Sequence, residues 1–259
     1  MDYNILLFTK SDCYKKKRKM KPKGIIVHST GVNNTNLKRY VGPDDGRLGH
    51  NQNNNHWNRP GVSTCVHAFI GKNQKGEICT YQTLPTNICA WGVGKGSKGS
   101  YNYNPAYLQF EILEDDLKDR EYFDAVMKEA QELCAKWCKE FNIPIDSVIS
   151  HKEAHTRGYG SNHKDCDHWL LKFNKNMSWF RSKVKKIMNN TVDVGDKVKI
   201  KNGVNTYYNG KKLPAWVKKS TLYARRKEEK NGVTVWLVST NKKLPVYTGR
   251  IRASDITKI

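Results

Sequence analysis

Around residues 188–195 (MNNTVDVG) the pattern of the chain changes, and no single regular fold fits both sides of that break. Before it, strand-like and helix-like patterns alternate. After it come short β runs separated by turns: DKVKIKNG, TYYNGKKL, STLYARRKEEKNG, VTVWLVST and LPVYTGRI. Asn209-Gly210 and Asn231-Gly232 carry the dipeptide that takes positive φ easily and closes hairpins. Three parts follow: a larger domain over 1–188, a linker over 189–194, and a small all-β barrel of SH3-like type over 195–259.

In the larger part, Gly24-Ile25-Ile26-Val27 reads as a buried strand that ends on His28, and residues 66–82 as a hairpin turning at Lys75-Gly76. LQFEIL is an apolar strand with Glu111 inside it. Residues 119–142 give the clearest helix. Asp119 can cap it, Phe123, Met127, Ala130, Cys134, Trp137 and Phe141 recur every three or four residues, and Pro144 ends it. A strand at Ser147–Ser150 delivers His151, and an amphipathic stretch from Trp179 to Met188 closes the domain. Alternation of this kind predicts an α/β domain, a mixed central sheet flanked by helices.

Charge narrows the partners. The 259 residues hold 46 Lys+Arg against 24 Asp+Glu, a formal +22, which calls for an anionic partner without naming it. From Thr191 onward there are 16 Lys/Arg and 5 Asp/Glu, so the small part supplies half of that excess. Apolar residues at 37% are too many for a disordered chain, and no apolar run approaches the roughly 18–20 residues that span a bilayer, so membrane insertion is not expected. The short apolar stretch near the N-terminus precedes its basic cluster, the reverse of a secretory signal, so export by that route is not expected. Lys15 to Lys23 reads as a solvated basic face or a loose contact with an anionic partner. Seven cysteines, odd in number and irregular in spacing, exclude a fully paired disulfide scaffold and favour a reduced compartment. The loop WGVGKGSKGSYNYN lacks the Lys-Ser/Thr of a phosphate cradle.

Chemistry gathers where strands end. His28, His67 and His151 all lie there, and Glu111 is a carboxylate in an apolar strand, costly unless paired or used. The run 163–168 brings together His163, Asp165, Cys166, Asp167 and His168. Catalytic zinc needs three protein ligands and one open position. His28, His151 and an acidic or thiolate residue of the 163–167 cluster meet that need, and Glu111 could move the proton. His50 and His56, in the Gly/Asn-rich loop GRLGHNQNNNHWNRPG, read as solvated loop histidines.

Six segments in order, GIIVHST, GVSTCVHAFIGKNQKGEICTYQ, AWGVG, LQFEILED, SVISHKE and GYGSNHKDCDHW, resemble the type-2 N-acetylmuramoyl-L-alanine amidases over about residues 20–185. The resemblance implies a zinc hydrolase that cuts the amide between N-acetylmuramic acid and L-alanine of the peptidoglycan stem by a zinc hydroxide mechanism. It implies His28 and His151 as zinc ligands and Glu111 as the general base and acid. Two registers fit the third ligand: His163-x-Asp165, with His163 supporting the oxyanion, and Lys164-x-Cys166, with Lys164 in that role. The first is favoured because SNHxDxxHW looks like the form in clostridial phage lysins, with Cys166 where proline is frequent. Val66 stands where the family often has tyrosine, and Gly92 where it often has histidine. His67, Trp57, Trp91 and Tyr101 are candidates for substrate contact.

The small part is similar to bacterial SH3-type wall-targeting repeats, which implies wall contacts at Tyr207, Tyr208, Trp216 and Trp236. The expected whole is a monomeric phage endolysin or prophage autolysin acting on a Gram-positive wall. Teichoic acid would answer its charge, and it would stay in the infected host's cytoplasm until released. Two competing classes are a non-catalytic peptidoglycan-binding protein, which would lack a working metal site, and a basic nucleic-acid-binding protein, which would leave the 163–168 cluster without a role.

Overall fold

A computed structural model describes residues 1–190, 192–241 and 247–259. It divides the chain into two compact units, Met1–Lys185 and Lys186–Ile259. The division falls within the last turns of a helix rather than in the linker expected at 189–194, of which Thr191 lies outside the described residues.

The first unit opens with β1 (Tyr3–Ile5) and the short α1 (Asp12–Lys16). It continues with β2 (Gly24–Asn33), β3 (Ala68–Lys72), β4 (Ile78–Gln82) and β5 (Tyr107–Glu114). Then come α2 (Arg120–Phe141), β6 (Val148–Ser150), α3 (His151–Thr156), α4 (Asp167–Lys172) and α5 (Met177–Asn190). The strands form one mixed sheet in the order β1-β4-β3-β5-β2-β6, parallel except for the β3–β4 hairpin. Ile25, Ile26 and Val27 are all shut from water, as expected of a central parallel strand covered on both faces. Gly76, with φ of 79°, makes the hairpin turn at the expected place.

Helix α2 begins where the sequence says it should. The Asp119 side chain accepts from the Tyr122 amide, and Asn142 ends the helix in the left-handed region, two residues before Pro144. Phe123, Met127, Ala130, Cys134 and Trp137 face inward, and the helix packs on β3 and β4. Trp137 meets Phe110 edge-on at 5.9 Å, and Trp169 of α4 meets Phe123 at 5.6 Å. Two features depart from the sequence reading. β1 adds a strand to the sheet edge beside β4. Cys13 and Cys65 form a disulfide, so the expectation of a wholly reduced set is corrected; Cys79, Cys89, Cys134, Cys138 and Cys166 are free and buried.

In the second unit, β7 (Lys197–Ile200), the short α6 (Ala215–Lys219), β8 (Leu222–Lys230), β9 (Val233–Ser239), β10 (Gly249–Arg252) and β11 (Ile256–Lys258) follow one another. The five strands make an antiparallel sheet in the order β10-β9-β8-β7-β11. Asn231 and Gly232, both at positive φ, close the β8–β9 hairpin as expected. TYYNGKKL is no strand: it makes one isolated bridge, Thr206 to Lys212, around a turn at Gly210. Helix α6 lies between two of the expected β runs, in a segment for which the sequence offered no element. Leu244, Pro245 and Val246 of the expected last run lie outside the described residues.

Candidate metal centre

The topology sets three chain segments at one end of the sheet. β2 and β5 run parallel, with His28 directly opposite Glu111, and β6 flanks β2 with Ser150 beside Val27. The next residue, His151, starts α3 because Ser150 caps that helix: its hydroxyl accepts from the Glu153 amide, and Glu153 returns the bond to the Ser150 amide. Arg181 of α5 holds Glu153 by a 2.8 Å ion pair. His151 therefore sits at a helix start rather than in an exit loop.

The third segment is the loop before α4, which supplies Asp165. Its Oδ2 lies 3.0 Å from His28 Nδ1 and its Oδ1 3.4 Å from His151 Nδ1, while the two Nδ1 atoms are 3.1 Å apart. A tetrahedral centre with bonds of about 2.0–2.1 Å has ligand–ligand edges of about 3.3 Å. The separation of the two imidazole nitrogens lies near that value; Asp165 meets the two rings through different oxygens, and one ligand atom from each of the three residues lies within 4.8 Å of the others. Two imidazole nitrogens and a carboxylate facing one another, nearly shut from water, form a nitrogen–oxygen donor set that suits a divalent cation such as zinc. Ser161 fixes one ring. Its hydroxyl is 3.2 Å from both His151 Nε2 and the Val93 carbonyl, so it accepts from Nε2–H, donates to the carbonyl and leaves Nδ1 free. His28 Nε2 is buried without a partner.

Burial alone would push the Asp165 carboxyl upward, but hydrogen bonds to His151 and His28 and their charge hold it well below the usual carboxylate range. Burial pushes His151 down, with Asp165 opposing. Glu111 is raised well above an ordinary glutamate by burial first, then by the negative charges of Asp165 and Glu114. Its Oε2 is buried without a hydrogen-bond partner and belongs to the same cleft of about 240 Å³, which His28, His151, His163 and Asp165 also line. His163 lies flat against His151, rings 4.7 Å apart and 9° from parallel, with most of its own side chain in solvent.

The cleft wall includes Thr30, Tyr40, Trp57, Thr64 and Gly92. Tyr40 stacks on Phe69 at 5.5 Å and meets Trp57 edge-on at 5.7 Å. At Gly92 the chain crosses close to Gln109: its amide donates to Gln109 Oε1 at 3.1 Å, and a Cβ would come within 2.6 Å of that oxygen. A side chain at 92 would require Gln109 to give up that position.

Several sequence candidates fall elsewhere. His67 is fully buried, its Nε2 donating to the Ile88 carbonyl at 2.9 Å and its Nδ1 accepting from the Gln109 amide at 3.0 Å. Burial lowers it to about 4, so it is a neutral brace between strands and not a substrate contact. Tyr101 is buried between Tyr107 and Tyr159 and offers no face to a substrate. Trp91 packs against the cluster around Cys13 and Cys65, whereas Trp57 does reach the cleft. Cys166 turns its sulfur into the core, 4.0 Å from Met177 Sδ, with its thiol pushed well up by burial; it stands outside the group that Asp165 completes, and so does the Lys164–Cys166 pairing. His56 is buried beneath Gly42, not solvated; His50 is exposed. In the second unit Trp236 is a core residue, Tyr207 packs over Gly249, Tyr208 bonds the Lys230 carbonyl, and Trp216 is 57% exposed. Tyr40 and Thr30, absent from the candidates, carry no sequence signal beyond proximity to His28. Ser161 lies in the segment GYGSNHKDCDHW, two residues before His163, and had no role in the sequence reading.

Residues 18–169 match the model of the Amidase_2 family, described as N-acetylmuramoyl-L-alanine amidase. The chain belongs to that family. Among curated proteins it is 30% identical over 118 residues to N-acetylmuramoyl-L-alanine amidase CwlH of Bacillus subtilis (strain 168), a match spanning 42% of this chain and 44% of CwlH. The chain thus covers less than half the length of that relative. Among solved structures it resembles the PlyG catalytic domain, with a TM-score of 0.52 and 20% identity over 73% of this chain and 96% of that one. It also resembles a mutant structure of PlyL, with a TM-score of 0.50 and 21% identity over 71% and 99%. At that identity the two structures speak for the mixed α/β fold.

Proposed function

We propose that the chain is a zinc-dependent peptidoglycan amidase that cleaves the bond between N-acetylmuramic acid and the L-alanine of the stem peptide. The observation that carries this is the convergence of His28, His151 and Asp165 beside Glu111 in one cleft, inside the segment that matches the amidase family. His28, His151 and Asp165 would hold the metal. Bound there, zinc supplies a Lewis acid for the amide carbonyl and makes a nearby water easier to deprotonate. Glu111 accepts that proton, because its carboxylate opens on the cleft beside the donor set, and it delivers the proton to the departing alanine nitrogen. His163, held flat on His151 with its other face in solvent, donates to the oxygen on which charge develops. Ser161 and Glu153 hold the imidazole and its helix in place.

The second unit we read as an SH3-like wall-binding module. Its exposed Trp216, the basic surface around it and its place after an amidase support that reading, with teichoic acid of a Gram-positive wall as the counter-charge. Similarity of GYGSNHKDCDHW to clostridial phage lysins supports a lytic enzyme, a monomer kept in the infected cell until lysis. Metal analysis combined with digestion of purified walls tests the whole. Free alanine amines should appear without new reducing sugars, and a chelator should abolish them. New reducing ends without free alanine would sink the amidase reading.

A further inference from the structure

The disulfide of the first unit joins two segments that meet at the cleft wall. Cys13 stands on α1, and Cys65 near the end of the segment that leads into β3. That segment gives the cleft Trp57 and Thr64, and Thr64 is the chain neighbour of Cys65. The Cys65 carbonyl accepts from the Trp91 amide at 3.1 Å, and Gly92, the next residue, lines the cleft as well. Hydrogen bonds run beside the disulfide, from the Lys10 amide to Asn58 Oδ1 at 3.0 Å and from the Asp12 amide to the Val62 carbonyl at 3.2 Å. The metal donors lie on other segments: His28 on β2, His151 on α3 and Asp165 before α4. The remaining cysteines hold their protons tightly. Burial pushes Cys79 and Cys138 up to about 12 and raises Cys89, Cys134 and Cys166 as well. Thiolate is the form that exchanges, so a change in thiol poise acts here on one bond.

We propose that Cys13–Cys65 is a reversible thiol–disulfide site that latches the cleft wall, firm when oxidised and loose when reduced. The inference rests on the amidase reading above, whose substrate the wall would contact. Both cysteines are shut from water in an apolar cluster with Leu84, Ile88 and Ala90, so exchange requires α1 to lift away. Such an opening is local. A helix of five residues has little strength of its own, and exposed Lys15 and Lys16 on it favour the approach of a thiolate. The reductant is a low-molecular-weight thiol. Its thiolate attacks one sulfur, the S–S bond breaks, and the other sulfur leaves and takes a proton. A second thiol resolves the mixed disulfide, so the chain gains two hydrogens and the small thiol departs as its own disulfide. Oxidation is the reverse, with that small disulfide as the acceptor. A chain made among thiols would therefore carry a loose wall and gain a firm one where thiols are scarce.

The test uses the full zinc-loaded chain in glutathione buffers, from mostly reduced to mostly oxidised. Intact mass reads the state of the pair, and zinc per chain shows that the donor set is kept. Turnover of N-acetylmuramoyl-L-alanyl-γ-D-glutamyl-L-lysine and hydrogen exchange read the consequence. In the reduced chain the bonded amides of Trp57, Arg59 and Val62 should exchange about tenfold faster. Its KM should rise about fivefold with kcat within about twofold, because the metal donors stand on segments the disulfide does not tie. Return to the oxidised buffer should restore both. Cys13→Ala/Cys65→Ala, assayed without any thiol, should match the reduced parent, which separates loss of the bond from an effect of glutathione on the metal. Should that variant fail to fold, the parent's two states decide by themselves. A pair that stays oxidised in the reduced buffer overturns the latch, and so does a reduced chain with unchanged exchange and KM. No turnover by either form would strike at the amidase reading instead, and hydrogen exchange would still decide the latch.

Discussion

The two units remove opposite kinds of side chain from water. In Met1–Lys185 the buried set includes His28, His67, His151, Gln109, Glu114 and Glu129. In Lys186–Ile259 Ser239 is the one polar side chain in the buried class among the described residues, and the charge lies outside. There Glu228 is half-buried between Arg250 and Arg226, whose hydrogen bonds hold its carboxyl below the usual value. Charge shut inside a fold acts at one point and at short range, whereas charge on a surface attracts any polyanion and is screened by salt. The first arrangement suits chemistry and the second suits retention. Each can be broken separately.

The largest effect should come from the donor set. Asp165→Ala should abolish zinc binding and lower wall hydrolysis on the order of a thousandfold or more, because a metal centre with two ligands and an open carboxylate position no longer holds its ion. Cys166→Ser should keep the metal, since that sulfur faces Met177. Zinc per chain, measured for both variants, decides it: loss only in the Cys166 variant would reverse the assignment. Wall binding by the second unit should survive either change.

Next is the core of the second unit. Trp236→Ala removes a buried indole packed among Val198, Leu222, Val238 and Ile251 and should cost about 3–5 kcal/mol. Retention on walls should disappear with the fold, while turnover of a small soluble muropeptide stays. If that turnover fell in parallel, the two units would not be separable and the comparison would fail. Melting curves alongside both assays supply the check.

How much of this could be read beforehand depended on what each residue's role requires. The helix from 119, the buried strand that carries His28 and the strand before His151 were legible because caps and apolar periodicity are local signals, although β2 runs on past His28 to Asn33 instead of ending there. Asp165 against Cys166 was not, because both are good ligands and only the direction of the side chain separates them. The same limit misplaced His67, Tyr101 and Trp236. A polar or aromatic residue in an apolar run looks identical in sequence whether it faces a cleft or a backbone carbonyl across the sheet. Tyr40 was invisible for the converse reason: it comes to the cleft through a loop whose path only the packing against Phe69 and Trp57 defines.

His67 also gives the first unit a pH signature that the second lacks. Its folded value of about 4 lies below the ordinary 6.5 because burial disfavours the charged ring. The unfolded chain therefore binds the proton more readily between those values. The contribution of His67 is fully present above pH 6.5, declines as pH falls, and is gone below about 4, a span of roughly 3 kcal/mol. Urea unfolding at pH 7 and pH 4.5 should show that loss in the parent chain. In His67→Gln the fold should be weaker at pH 7, but the part of the slope due to this ring should vanish. An unchanged slope would remove His67 from the account.

The smallest change should be Trp216→Ala. This ring is 57% exposed on α6, next to Lys218 and Lys219, so its removal should alter stability by less than about 0.5 kcal/mol. If it provides an apolar plate for a wall component while the lysines hold the anionic part, affinity for purified walls should fall by several-fold, about 1 kcal/mol. The residual binding should weaken further as salt rises, because what remains is charge. Co-sedimentation at two salt concentrations separates the contributions. Unchanged affinity in the variant, with the same salt dependence, would mean that the surface charge of the second unit retains the enzyme unaided. The contrast between the units would then be sharper still: specific contacts in the first, and only diffuse attraction in the second.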